Sequence, residues 1–132
     1  MRRPKVVLDT DVASRLWRGT LDSYTHEKLE RTTAVLTYVT IAEWGKWAYS
    51  KDWGERRKSD LGAFGEKFQR LWCDALVVSE WGRLSGLALR RGRQLSHNDC
   101  WIAACCVVND HPLVTLNLKD FQPLEPLGLT LL

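Results

Sequence analysis

No hydrophobic run in this chain approaches the roughly 18–20 residues that a membrane-spanning helix requires. The basic start, Arg2-Arg3-Pro4, is followed only by Val6-Val7-Leu8 before Asp9, too little for a signal-peptide core, so a cytoplasmic protein without a membrane partner is expected. Cysteine is scarce. Cys73, Cys100, Cys105 and Cys106 lack the spacing of a zinc site and read as reduced core thiols. Repeats, low-complexity stretches and linker-like breaks in composition are also missing, which leaves one compact domain over residues 1–132. The excess of one charge is small, +3. Whatever attraction the chain has for a polyanion must therefore come from local clusters.

Two such clusters are present, Arg56-Arg57-Lys58 and Arg90-Arg91 with Arg93. Each fits a solvated helix face or helix end, and each is also a candidate contact to nucleic acid. Tryptophan is the one plentiful aromatic, with seven residues. Trp17, Trp44 and Trp47 fall at helical spacing and read as core or interface, base stacking being the lesser alternative.

Val6-Val7-Leu8 is apolar without alternation, the mark of a strand buried on both faces. The same reading places strands at 34–38, 75–78, 113–115 and 127–132. Helices are expected over 10–18, 22–31, 40–53, 55–72, 80–91 and 96–109, with Thr40 capping its helix in a capping box with Glu43. Short apolar strands alternating with helices predict a parallel α/β sheet covered on both sides, which binds its ligands beyond the carboxyl ends of the strands.

Four acidic residues stand where apolar runs give way to polar ones: Asp9, Glu43, Asp99 and Asp120. On this topology all four reach one rim of the sheet. Carboxylates at the ends of buried elements are costly unless a cation compensates them, and a divalent metal is the natural one. Mg²⁺ and Mn²⁺ take hard oxygen ligands from several elements and keep several waters, and such an ion can activate a water against a phosphate ester. Thr115, Asn117 and Asp11, with Ser96 and Asn98, stand beside these acids as residues that could orient them. Singly, each acid also has a structural reading: Glu43 as the capping-box partner, Asp99 as a first-turn acid, Asp120 as a cap.

The chain resembles the PIN-domain ribonucleases of the VapC toxin type. Val7-Leu8-Asp9-Thr10-Asp11 is similar to the family's opening strand, and Val39-Thr40-Ile41-Ala42-Glu43 to its second motif. Asp99-Cys100-Trp101-Ile102-Ala103-Ala104 corresponds to the third motif, and Val114-Thr115-Leu116-Asn117-Leu118-Lys119-Asp120-Phe121 to the last. The resemblance implies a three-layer α/β/α PIN-like domain with a short, mostly parallel sheet. It also implies an endoribonuclease with Asp9, Glu43, Asp99 and Asp120 around Mg²⁺ or Mn²⁺, an antitoxin that blocks the site, and a homodimer. Asn117 stands where some relatives carry a further acid, and Asp11 where Asn is frequent, so Asp9 and Asp99 are the firmest ligands. Two other readings fit part of the pattern. One is a PIN-like module that binds RNA or a partner without cutting. The other is a haloacid-dehalogenase-like phosphatase using Asp9 as nucleophile, against which Ala13 stands where Thr is favoured.

Overall fold

The computed structural model describes residues 2–132. Four strands, β1 (Lys5–Leu8), β2 (Thr33–Thr37), β3 (Gln69–Leu71) and β4 (Leu113–Val114), form one sheet in the order β3-β2-β1-β4. Every pairing is parallel: Val7 lies opposite Val35 on one side and Leu113 on the other, and Thr37 opposite Leu71. The pleat sends alternate side chains to opposite faces, so a strand buried on both sides must be apolar throughout. Val7, Val35 and Leu113 enter one core, packed by helices α5 (Ala75–Arg90) and α6 (His97–Asn109) with Phe121 of α7 (Leu118–Phe121). Val6, Leu8, Leu36 and Val114 enter the other, packed by α1 (Thr10–Arg18), α3 (Tyr38–Ser50) and α4 (Glu55–Glu66). Leu29 of α2 (Ser23–Glu30) also packs on this side. These are the three layers the sequence predicts.

Strand β1 is central, and the chain leaves it toward β2 on one side and returns to β4 on the other. The order reverses between β1 and β4, and parallel sheets open a crevice at the carboxyl ends of such a pair.

Local chemistry sets most boundaries. Asp22, Asp74 and Ser96 each accept a backbone N–H from the third residue on, starting α2, α5 and α6. Helix α1 stops at Gly19, whose φ of 71° is left-handed and sterically free only for glycine. Gly65 marks where α4 lies against α3: a Cβ there would sit 3.4 Å from the Trp44 ring, in ordinary contact.

Four expected elements are corrected. The run Ala75–Val78 is the first turn of α5, because the Asp74 carboxylate caps Val77 at 2.9 Å and turns the apolar run helical. The third strand is instead Gln69–Leu71, inside the expected 55–72 helix; its polar residues suit a short, exposed sheet edge. Helix α3 begins at Tyr38 with Thr37 as its extended cap residue, so Thr40 lies in the first turn and caps nothing. Over 127–132 no strand forms: Pro123 and Pro126 sit in a 3₁₀ turn, Gln122–Leu127, and only Leu131 bridges to Leu113.

Candidate active site

Asp9 directly follows β1, is 5% exposed, and is the cap residue of α1. Its Oδ1 accepts the Thr10 N–H at 2.9 Å and its Oδ2 accepts the Thr115 hydroxyl at 2.8 Å. Thr115 in turn accepts the Asn117 N–H at 2.9 Å. The Asp9 N–H donates to the Val114 carbonyl, also at 2.9 Å. The carboxylate is thus clamped between the ends of β1 and β4, at the crevice the topology opens. Each of its oxygens keeps acceptor capacity for a further ligand.

Glu43 reaches the same rim from the second turn of α3. Its Oε1 accepts the Thr10 hydroxyl at 2.9 Å. Thr10 Oγ1 also lies 2.9 Å from Thr40 Oγ1, and since its one proton goes to Glu43, Thr40 is the donor in that pair. Thr40 therefore does act on Glu43, through Thr10 across two helices and not as a cap. One turn on, buried Ser14 accepts the Trp44 indole N–H at 2.9 Å and donates to the Thr10 carbonyl at 2.8 Å. That pin holds α1 and α3 in register and with them the Thr10–Glu43 contact.

Asp99 is half-buried in the first turn of α6, where Ser96 caps its N–H at 3.1 Å. Asp120 is exposed on α7. Both line one cavity of about 210 Å³ together with Arg93, Ser96 and Lys119.

The charges of these acids act on one another. Burial pushes the Asp9 carboxyl up from 3.8 to about 6; its two hydrogen bonds oppose the shift, and the charges of Asp99 and Glu43 add to it. Asp99 is raised as well, by burial first and by the charge of Asp120, against the Ser96 contact. Among the described residues the ion pairs are Arg15–Asp11, Lys58–Glu55 and Arg83–Glu80, so no base neutralises the rim acids directly.

Asp11 is not part of this group. It is partly exposed and pairs with Arg15 at 3.3 Å, one turn along α1. The basic clusters also separate. Arg93 lines the Asp99–Asp120 cavity, whereas Arg90 and Arg91 end α5 without lining it. Arg57 stacks over Trp53 at 4.0 Å and over Trp17 at 5.7 Å, and Lys58 is held by Glu55 at 2.7 Å. Arg56, Arg57 and Lys58 therefore belong to the start of α4, beyond the end of α3 remote from Glu43. The residues that sequence reasoning missed are Thr10, Ser14, Trp44 and Lys119. A buried indole needs an acceptor, so Trp44 was the available signal for Ser14.

A model of the PIN domain matches residues 6–122. Ribonuclease VapC1 of Haemophilus influenzae (strain R2866) is 23% identical over 124 residues, 92% of each chain. Among solved structures, VapBC2 from Rickettsia felis, bound to a DNA fragment from its promoter, superposes with a TM-score of 0.83 at 22% identity, covering 97% of both chains. VapBC-5 from Mycobacterium tuberculosis, a member of the VapBC family of toxin-antitoxin systems, does so with 0.73 at 24% identity, over 97% of this chain and 98% of that one. At such identities the superpositions establish the shared fold. The family match runs from β1, through every rim acid, to the end of α7, and on that extent the chain belongs to the PIN-domain family.

Proposed function

We propose that this protein is an Mg²⁺- or Mn²⁺-dependent endoribonuclease, the toxin of a toxin–antitoxin pair, with Asp9, Glu43, Asp99 and Asp120 around the ion. One observation carries the reading: a buried, doubly clamped Asp9 at the β1/β4 crevice feels the charges of Asp99 and Glu43, and among the described residues no basic side chain pairs with any of them. The donor set fits the ion. All four are hard oxygen donors. Among the described residues no group of three or more His, Cys, Asp or Glu side chains is placed to hold a metal ion by itself, so the set lies open to water. An octahedral ion that keeps several waters and takes one or two carboxylates directly suits that openness. When bound, it supplies Lewis-acid stabilisation of the phosphate and a water of lowered pKa.

The chain's own residues prepare the rest. Thr10 and Thr115 stop the Asp9 carboxylate from rotating, and the Thr40–Thr10 relay does the same for Glu43. Asp99 is the other direct ligand, with Asp120 across the cavity wall. Arg93 and Lys119 on that wall hold phosphates of the strand being cut, a role for paired cations beside an anionic site. The name of the Haemophilus relative, a ribonuclease, supports RNA as the substrate. The Mycobacterium structure, from a family of toxin-antitoxin systems, supports an antitoxin partner. A groove of about 310 Å³ between α3 and α4, with Ile41, Trp44, Ala48 and Leu61 in its walls, offers that partner an apolar seat. Exposed Trp72 after β3 and exposed Leu76 and Val78 at the start of α5 offer a surface for a second copy.

The test is cleavage of total RNA by the purified protein with Mg²⁺ or Mn²⁺. Asp99→Asn should lower the rate by more than about 100-fold while the fold survives, and excess chelator should silence the wild type. Undiminished cleavage by the variant or in chelator would sink the metal assignment.

A further inference from the structure

A second cavity adjoins the acidic rim and shares Glu43 with it. Its volume is about 280 Å³, and Tyr38, Ala42, Lys46, Asn98 and Trp101 complete its principal walls. Trp101 stands two residues after Asp99 on α6. Trp81 of α5 stacks on it at 5.1 Å between centroids and 25° between planes, and Tyr38 meets it edge-on at 6.2 Å. The Trp81 indole N–H donates to the His97 carbonyl at 3.4 Å, tying the stack to the turn that carries Asn98 and Asp99. The aromatic wall is thus braced from behind, and Trp101 belongs to the same turn of chain as Asp99. Trp101 is half-buried, Lys46 and Asn98 are exposed, and none of the described ion pairs involves Lys46.

We infer that this cavity is a nucleobase subsite. It takes the base of the nucleotide next to the phosphate held at the acids, with Trp101 as stacking surface, Lys46 on the neighbouring phosphate and Asn98 at the base edge. The inference rests on the proposed nuclease reading and deepens it. Three features favour single-stranded RNA over a protein occupant, and the link of this cavity to the acids is Glu43, which lines it. A braced indole stacks on any base without sequence demand. A cation at the mouth complements phosphate. The cavity shares Glu43 with the acidic rim, and an amide donor–acceptor pair beside the stack can favour some bases over others.

The test is binding of short fluorescent single-stranded RNAs to the full chain in chelator, where cleavage is silent, with an abasic nucleotide moved along the strand. In the wild type one abasic position should weaken binding by about 10-fold. In Trp101→Leu, with folding checked by circular dichroism, intact RNA should bind about 10-fold more weakly and the abasic penalty should vanish. Lys46→Ala, an exposed change, should lower the salt slope by about 0.7. The same abasic penalty in Trp101→Leu and wild type would overturn the subsite. So would a flat abasic scan in the wild type, which needs no variant. Loss of protein-partner binding in Trp101→Leu with RNA binding intact would assign the cavity to the partner instead. Failure of the nuclease reading looks different: no RNA binding and no metal-dependent cleavage by the wild type.

Discussion

At the scale of single residues, the decisive one is Asp9. Its carboxyl is raised from 3.8 to about 6 by burial and by the charges of Asp99 and Glu43. The folded, metal-free protein therefore holds a proton, between those two values, that the unfolded chain has already lost. Folding is most favoured below about pH 4 as far as this group is concerned, and stability falls as pH rises to about 6, by up to about 3 kcal/mol. Urea denaturation in chelator should show this fall in the wild type and a flatter profile in Asp9→Asn, which should be the more stable protein at neutral pH. Identical pH profiles for the two proteins would refute the assignment. Thr10 is the second such residue, because it touches both proposed ligands, Asp9 through its N–H and Glu43 through its hydroxyl. Thr10→Val keeps the first contact and deletes the second. It should lower cleavage roughly 10- to 100-fold and raise the Mg²⁺ concentration needed for half-maximal rate. A change in neither would mean that Glu43 does not depend on the relay.

Among the elements, α1 and α3 form the working pair, pinned by Ser14 and Trp44. Ser14→Ala leaves the Trp44 indole buried without its acceptor and should cost about 1–3 kcal/mol, read as a lower denaturation midpoint. Cleavage should fall too, since the register that brings Thr10 to Glu43 loosens. A stable variant with normal activity would show that packing alone holds the pair. The elements also show where local sequence signals fail. Ala75-Leu76-Val77-Val78 has strand-like composition, yet the Asp74 cap makes it helical; the edge strand Gln69-Arg70-Leu71 carries little apolar signal because only Leu71 is buried. Thr40 and Glu43 have the spacing of a capping box, but the extended backbone of Thr37 starts the helix earlier and frees both side chains for Thr10.

At the scale of the whole molecule, the two basic clusters part company. Arg93 opens into the acidic cavity, whereas Arg57 is spent on the faces of Trp53 and Trp17. Arg93→Ala should weaken RNA binding about equally across sequences and reduce the salt slope by about 0.7. Arg57→Ala should leave RNA binding and cleavage unchanged and cost on the order of 1 kcal/mol of stability through the lost cation–π contacts. The opposite pattern in an RNA-binding titration would move the substrate path to α4.

The α/β class, the parallel sheet, helices α1, α2 and α6, and the place of Thr115 beside an acid were legible in the residues alone. They were legible there because apolar continuity, helix caps and chain motifs are local, and they report burial and backbone geometry over a few neighbouring residues. Only the tertiary structure decided which strand forms the far edge, which basic cluster meets the acids, and that Thr10, Thr40 and Ser14 hold them in place. Those outcomes depend on contacts between residues about 30 or more positions apart, such as Thr10 with Glu43 and Trp44 with Ser14, to which no local pattern responds.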